Sequence, residues 1–171
     1  MLTQELQYHL PAERIAQSPA ERRDQSRLLV FDRAKDETSH HFFHELPELL
    51  PRDLTILRND VSVLKARLHG KRSSGGSVEC LLLQPDHSGE CVWRCLLKPG
   101  GKTAKSKTFG VPGEYYPKVI ESLPSGEYLV QFDLPKDSDP AELAQRIGTL
   151  PLPHYVSRPA DKEDELRYQT V

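Results

Sequence analysis

A series of short apolar segments separated by turns, in the middle of the sequence, limits the fold of this chain more than any other feature. Residues 61–68 and 78–83 are separated by a turn at 73–76, and a second turn precedes residues 91–97. Residues 126–132 form a further strand candidate. Closely spaced strands with glycine-rich turns are typical of small antiparallel barrels and curled sheets. The sequence therefore predicts such a sheet at the centre of an α+β protein.

Short helices and one buried strand are predicted on either side of this sheet, because the 14 prolines of the chain interrupt longer helices. Asp139 is a suitable N-cap, Pro140 fits the first helical position, and Gly148 is expected to end the helix in a left-handed conformation. Residues 161–169 predict a further one or two helical turns. The apolar run 28–31 predicts a buried strand.

The small net charge of the chain, -2, conceals an uneven distribution. Residues 58–118 contain 11 Lys and Arg against 5 Asp and Glu, a balance of +6, and the remainder has a balance of -8. A basic segment within an acidic frame indicates either a phosphate-binding surface or a solvated, lysine-rich hairpin that protects a sheet edge. Position in the sequence alone does not distinguish these two interpretations.

Several classes of protein are disfavoured by the residues present. No apolar run approaches the roughly 20 residues that cross a bilayer, and the first residues do not have the pattern of a secretory signal. The three cysteines do not form a disulfide framework. On one strand, Cys91 and Cys95 would lie about 13 Å apart, too far to bridge, and would face the core with Trp93 and Leu97. We therefore expect a cytoplasmic protein without membrane association.

A metal site is not expected either. His40 and His44 are four residues apart and could share a helical face with His41 nearby, but no second pair at ligand spacing completes a site. The adjacent Phe42 and Phe43 favour a packing role for these histidines. No nucleophile elbow or phosphate-binding loop is present.

Three longer stretches carry a resemblance to a known family. The first is Tyr8-x-Leu10-Pro11-x-Glu13-x-Ile15-Ala16-Gln17-x-Pro19 with Arg23-Asp24-x-Ser26-Arg27-Leu28-Leu29-Val30. The second runs from Asp53-Leu54 through Asn59-Asp60, Ala66-Arg67-Leu68-x-Gly70-Lys71 and Gly75-Gly76-x-Val78-Glu79. The third is Leu150-Pro151-Leu152-Pro153-x-Tyr155, Arg158-Pro159, Asp164 and Tyr168-Gln169-Thr170-Val171. In this order, they resemble the N-terminal half of the S-adenosylmethionine:tRNA ribosyltransferase-isomerases of queuosine biosynthesis.

The resemblance implies a mixed α/β body, incomplete here, with an inserted antiparallel β-barrel domain. It places residues 1–57 in the body, 58–135 in the barrel and 136–171 in a return segment to the body. The family transfers the ribosyl group of S-adenosylmethionine to the 7-aminomethyl-7-deazaguanine base of tRNA and rearranges it to epoxyqueuosine, without a metal. Since the substrate amine is the nucleophile, the enzyme supplies positioning and proton transfer.

The resemblance also implies which side chains form the catalytic and binding site. Asp60 is the candidate catalytic residue, as a base or as a partner of a ribose hydroxyl, with a structural turn as the alternative. The candidates for binding substrate or tRNA are Arg23, Asp24, Ser26, Arg27, Asn59, Arg67, Lys71, Tyr155, Arg158, Tyr168 and Gln169.

Two departures from the family pattern leave an alternative open. Ser62 stands where the family usually has an arginine, and the family's second half, with its Thr-Ala-Gly-Leu-His-Phe-Thr segment, is not in this sequence. The rest of the body is then missing, supplied by a separate chain, or dispensable. The alternative function is a non-catalytic tRNA-binding fragment or remnant.

Overall fold

The computed structural model describes residues 7–135 and 138–170, which form two compact units. The first unit extends to Asn59 and includes Pro153–Arg158. The second comprises Asp60–Leu152 and the residues from Pro159 onward. The division predicted from the sequence, into 1–57, 58–135 and 136–171, stays a prediction.

The first unit is built around one β-hairpin. Its elements are 3-10 turns at Ala12–Arg14, Arg23–Gln25 and Phe43–Glu45, strands β1 (Arg27–Asp32) and β2 (Glu37–Phe42), and helix α1 (Leu46–Leu49). The hairpin turn is favoured by Asp32, whose Oδ1 accepts a hydrogen bond from the Ala34 amide at 2.9 Å. The predicted strand at 28–31 is present within β1. The prediction that it is buried is wrong, because no described residue of this unit is buried.

The histidines do not share a helical face. His40 and His41 lie on β2, and His44 lies in the following 3-10 turn, where its ring stacks on Phe42 at a centroid distance of 5.8 Å. Among the described residues, no group of three or more His, Cys, Asp or Glu side chains is arranged to hold a metal ion.

The second unit contains a curled antiparallel sheet of six strands in the order β6-β3-β4-β5-β8-β7. The strands are β3 (Arg67–Arg72), β4 (Ser77–Pro85), β5 (Val92–Lys98), β6 (Phe109–Gly110), β7 (Lys118–Ser122) and β8 (Tyr128–Gln131). The two outer strands are also linked to each other, because Thr108 and Lys118 form a β-bridge and the Val119 amide donates to the Lys107 carbonyl at 2.7 Å. Register shifts in β4 and β7 are of the kind that bends a sheet.

Two predicted strands begin later than expected. The strand predicted at 61–68 begins only at Arg67. Cys91 precedes β5 and has a positive φ of 52°, so it does not continue the alternation of that strand. Trp93 and Cys95 are buried as predicted.

Helices α2 (Gly100–Ser106), α3 (Pro140–Ile147) and α4 (Lys162–Arg167) complete this unit. The caps of α3 and α4 follow their sequences, since Asp139 accepts from the Ala141 amide and Asp161 forms a capping box with Asp164. Gly148 does not adopt the predicted left-handed conformation; its φ is -79°. Glycine is required there because a Cβ would overlap the carbonyl oxygens of Lys65 and Ala144. No helix in the described residues is long and apolar enough to cross a membrane.

The core lies inside the curled sheet. Cys80 and Cys95 on adjacent strands are both fully buried, and their mutual hydrogen bond together with burial raises the pKa of the Cys95 thiol. Tyr115 is also buried, and its hydroxyl donates to the His69 carbonyl at 2.8 Å. Burial, with a smaller effect of Cys80, raises the pKa of Tyr115. These groups are structural components of the core.

Candidate nucleic-acid interface

Four exposed lysines gather where the outer strands of the sheet meet. Lys105 lies on α2, and Lys107, at the end of that helix, has a positive φ of 63°. Lys118 begins β7 opposite Thr108, and Lys71 on β3 is paired with Gly110, two residues beyond Thr108. Strand pairing therefore places Lys71 and Lys118, which are 47 positions apart in the sequence, on either side of the 108–110 segment. The hydrogen bond from the Val119 amide to the Lys107 carbonyl places the end of α2 beside β7. We call Lys71, Lys105, Lys107 and Lys118 the lysine cluster.

Several other cations of the same unit have an acidic partner among the described residues, and the four lysines of the cluster do not. Within residues 7–135 and 138–170, none of its four lysines takes part in an ion pair. By contrast, Lys65 pairs with Glu165 at 2.9 Å, and Arg146 pairs with Glu114 at 2.8 Å. Unpaired ammonium groups in water attract anions over about a Debye length, and phosphate backbones are the polyanions such clusters commonly bind. This arrangement can hold a nucleic-acid backbone.

Arg67, predicted to bind substrate or tRNA, is held by contacts inside its own unit. Its Nε lies 3.4 Å from a carboxylate oxygen of Glu79, and its guanidinium donates to the Leu152 carbonyl at 3.2 Å. Its main chain pairs with Thr149 through two hydrogen bonds. The side chain therefore anchors the 149–152 segment to β3.

Gln169 has a similar anchoring contact. Its side-chain amide accepts from the Val63 amide at 2.7 Å and donates to the Val63 carbonyl at 3.2 Å, as a neighbouring strand would. The Thr170 hydroxyl adds a hydrogen bond to the Val61 carbonyl at 2.5 Å. Tyr168 is half-buried at the C-cap of α4. These contacts fasten residues 168–170 to the segment before β3.

Asn59 and Asp60 lie in an exposed segment without helix or strand. Asn59 belongs to the first unit and Asp60 to the second. The Asp60 side chain is exposed, so its carboxylate is accessible to a substrate.

In the first unit, Arg23, Asp24, Ser26 and Arg27 form a local turn that leads into β1. The Asp24 carboxylate pairs with Arg22 at 2.6 Å rather than with Arg23. The Ser26 hydroxyl donates to the Arg23 carbonyl at 2.9 Å. Arg23 and Arg27 are exposed.

Gln17 organises the other predicted residues of this unit, Tyr155 and Arg158. Its amide nitrogen donates to the Tyr155 carbonyl at 2.9 Å, and its amide oxygen accepts from the Ser157 amide at 2.6 Å. Arg158 Nε donates to the Gln17 carbonyl at 3.0 Å. Gln17 is not among the site residues predicted from the sequence, although it belongs to the first family-like stretch. The three contacts hold residues 155–158 against the N-terminal segment.

A cavity of about 450 Å³ lies elsewhere in the second unit. It is lined by Glu114, Leu134, Pro135, Ser138, Asp139, Glu142, Leu143 and Arg146. None of the residues predicted from the sequence to bind or act on a substrate lines it. The predicted residues therefore do not converge on this cavity.

Comparison with known proteins gives one consistent result. A family model described as queuosine biosynthesis protein matches residues 3–171. The S-adenosylmethionine:tRNA ribosyltransferase-isomerase of Sulfurimonas denitrificans is 36% identical over 177 residues, covering 100% of this chain and 50% of that protein. The enzyme of the same name from Nitrosospira multiformis is 40% identical and is covered to 47%.

A solved structure, the S-adenosylmethionine tRNA ribosyltransferase of Thermotoga maritima, is 34% identical, with 82% of this chain and 47% of that chain covered and a TM-score of 0.40. The chain thus spans about half the length of the curated relatives it matches. The family match over nearly its whole length confirms the resemblance seen in the sequence. This chain belongs to the queuosine biosynthesis protein family.

Proposed function

We propose that this chain acts as part of an S-adenosylmethionine:tRNA ribosyltransferase-isomerase. The observation that carries the proposal is the alignment of the whole chain with relatives of that name at 36–40% identity. The reaction transfers the ribosyl group of S-adenosylmethionine, the co-substrate, to the amine of the 7-aminomethyl-7-deazaguanine base in tRNA. Isomerisation then yields epoxyqueuosine, and adenine and methionine leave. We place this reaction in the cytoplasm and assign no metal to it.

The lysine cluster is the proposed binding surface for the tRNA backbone. Its members are exposed and unpaired within the described residues, so an incoming phosphate does not have to displace an acidic side chain. Contacts to phosphate position an RNA without reading its sequence. The predicted binding residues of the first unit, including Arg23, Arg27 and Arg158, are proposed to contribute further contacts.

Asp60 is the proposed catalytic residue, as the proton acceptor or as the partner of a ribose hydroxyl. Its exposure and its position beside Asn59 support this role. The attacking group is the substrate amine, which must lose a proton when it forms the new bond. The proposed role of Asp60 is to accept that proton as a general base. Arg67 and Gln169 stay among the proposed binding residues. The alternative is that they serve only the fold, through the anchoring contacts described above.

We also propose that the curled sheet is the inserted barrel of the family and that the first unit belongs to its mixed α/β body. The rest of the body would come from the polypeptide that corresponds to the other half of the relatives, either in continuation of this chain or as a separate chain. The coverage of 47–50% supports this assignment.

The enzymatic proposal is tested with a chimaera that joins this chain to the other half of the Nitrosospira multiformis relative. Incubation with S-adenosylmethionine and precursor-bearing tRNA should release adenine, measured by chromatography. Loss of a general base typically costs 100-fold or more, so Asp60→Asn should reduce the rate by about that factor. Asp53→Asn, another exposed aspartate, is the matched control. A chimaera that folds but releases no adenine would refute the proposal.

The second candidate function, tRNA binding without turnover, is favoured by the lysine cluster and is tested on the chain alone. Replacing Lys105, Lys107 and Lys118 by Gln should weaken tRNA binding and reduce the slope of log K against log salt by about 2 to 3, since each phosphate contact contributes about 0.7 to 0.9. Lys65→Gln is the control, because Lys65 is already paired with Glu165. An unchanged slope in the triple variant would show that the cluster does not contact the backbone.

A further inference from the structure

The segment that leads into β7 carries an exposed tyrosine beside the lysine cluster. Side chains alternate along residues 115–120, so that odd-numbered positions are buried and even-numbered positions are exposed. Tyr115 therefore points inward, where its ring stacks on Phe132, whereas Tyr116 points outward and is 44% exposed. Within residues 7–135 and 138–170, the Tyr116 ring stacks on no other ring and its hydroxyl forms no hydrogen bond. The second unit thus leaves this aromatic ring without a partner.

Strand register places Tyr116 in one row with a lysine of the cluster. Thr108 is bridged to Lys118, and two residues along, the same antiparallel register puts Gly110 opposite Tyr116. On its other side, Gly110 is paired with Lys71. Residues directly opposite each other share a face of the sheet, so Lys71 and Tyr116 lie on the same outer face, and the residue between them has no side chain.

The spacing of this row follows from sheet geometry. Neighbouring strands are about 4.8 Å apart, so the Cα atoms of Lys71 and Tyr116, two strands apart, are separated by about 10 Å. Lys118 is two residues beyond Tyr116 on the same face, a distance of about 7 Å. At a rise of about 3.4 Å per nucleotide, two to three nucleotides of one strand cover such a distance.

The charges of the row are available to a polyanion. Lys71 and Lys118 are exposed, and neither forms an ion pair among the residues that the structure describes. Glu114, an acidic residue of the same hairpin, is already paired with Arg146. An open aromatic ring between unpaired cations is typical of surfaces that bind single-stranded nucleic acid, in which a base stacks on the ring and the neighbouring phosphates meet the cations.

We propose that Tyr116 stacks on an unpaired base of the RNA while Lys71 and Lys118 hold phosphates on either side of that base. The proposal rests on the proposed function, in which the lysine cluster binds the tRNA backbone, and it adds a base contact to that surface. A duplex keeps its bases within its own stack, so paired RNA would engage the lysines alone. Tyr116 therefore makes the surface selective for unpaired over paired RNA, without selecting a base sequence.

The test measures binding of two labelled RNA probes to the chain alone by fluorescence anisotropy. The probes are an oligouridylate of about 12 nucleotides and a blunt RNA duplex of similar length. Tyr116→Leu should weaken binding of the oligouridylate by about tenfold, since base–aromatic stacking contributes about 1 to 3 kcal/mol per base, and should change duplex binding by less than about twofold. Tyr116→Phe keeps the ring and should bind both probes as the parent chain does. The salt slope should be the same in Tyr116→Leu and the parent, because stacking releases no counterions.

The matched control is Leu96→Ala on β5, because Leu96 is exposed to the same 44% as Tyr116 and lies outside the lysine cluster. It should bind both probes as the parent chain does. Urea unfolding followed by fluorescence of the buried Trp93 reports whether each variant is folded.

Three results would overturn the proposal: an equal loss of affinity for both probes in Tyr116→Leu, the same loss in Tyr116→Phe, or no binding of the oligouridylate at low salt. Its failure is distinguishable from failure of the proposed function. Tyr116-dependent binding of the oligouridylate together with a folded chimaera that releases no adenine would retain the stacking residue and reject only the enzymatic reaction.

Discussion

Gln169 offers a direct test of whether a family-like residue serves the fold. Its side chain makes two hydrogen bonds to the main chain of Val63 and so substitutes for a neighbouring strand. Both residues are half-buried, so water can replace the lost contacts only in part. A net contribution of about 0.5 to 1.5 kcal/mol per hydrogen bond gives a cost of about 1 to 3 kcal/mol for Gln169→Leu.

This cost is measured by urea unfolding of the chain, with Trp93 fluorescence as the signal. For an m-value of about 2 kcal/mol/M, a loss of 2 kcal/mol lowers the midpoint by about 1 M. Hydrogen exchange of the Val63 amide distinguishes a loss of global stability from local detachment of residues 168–170. Local detachment alone would speed the exchange of this amide without lowering the urea midpoint.

Gln145→Leu is the control, since Gln145 is an exposed glutamine on α3 of the same unit. Such a surface substitution should change the free energy of unfolding by less than about 0.5 kcal/mol. If Gln169→Leu leaves both the midpoint and the Val63 exchange rate unchanged, the anchoring role is wrong. A loss of adenine release in the chimaera with intact stability would then assign Gln169 to the substrate.

Two further predictions concern the curled sheet. Gly110 has a φ of +146°, and a Cβ there would overlap the Tyr115 carbonyl. Gly110→Ala should therefore destabilise the protein by more than about 2 kcal/mol in the same urea assay. The control is Gly101→Ala on α2, where a Cβ would meet open space, and this substitution should be neutral or stabilising. Because the pKa of Tyr115 is raised in the folded state, its contribution to stability is fully present below the unfolded pKa of about 10 and is lost as pH rises toward the folded value. The urea midpoint should therefore fall above pH 10, and Tyr115→Phe should flatten that fall; an equally steep fall in the variant would contradict this assignment.

The sequence predicted those helices and strands whose ends are set by residues close to them in the chain. The cap and proline at Asp139 and Pro140 predicted α3, and the apolar segments predicted β4, β5 and β8 at nearly their observed positions. Family membership could also be read from short ordered motifs. Helix α2 was not predicted, because its Gly100 and Gly101 disfavour a helix and the observed one depends on its contacts with the sheet.

The candidate site was only partly predictable. The sequence identified the basic segment but not which of its cations are paired, since pairing of Lys65 with Glu165 joins residues a hundred positions apart. The same limit applies to Gln17 and Gln169, whose partners lie 138 and 106 positions away. The prediction of a left-handed Gly148 failed for the same reason, because the requirement for glycine comes from the distant Lys65 carbonyl.

The sequence by itself determined the family, the strand-rich centre and the local excess of positive charge, because each depends on residue identity and short spacing. Only the tertiary structure decided which lysines stand together without a partner and which predicted binding residues anchor the chain instead. It also decided that the apolar run at 28–31 lies in a two-stranded hairpin. Burial and ion pairing depend on distances through space, and these are set by strand register and packing rather than by position along the chain.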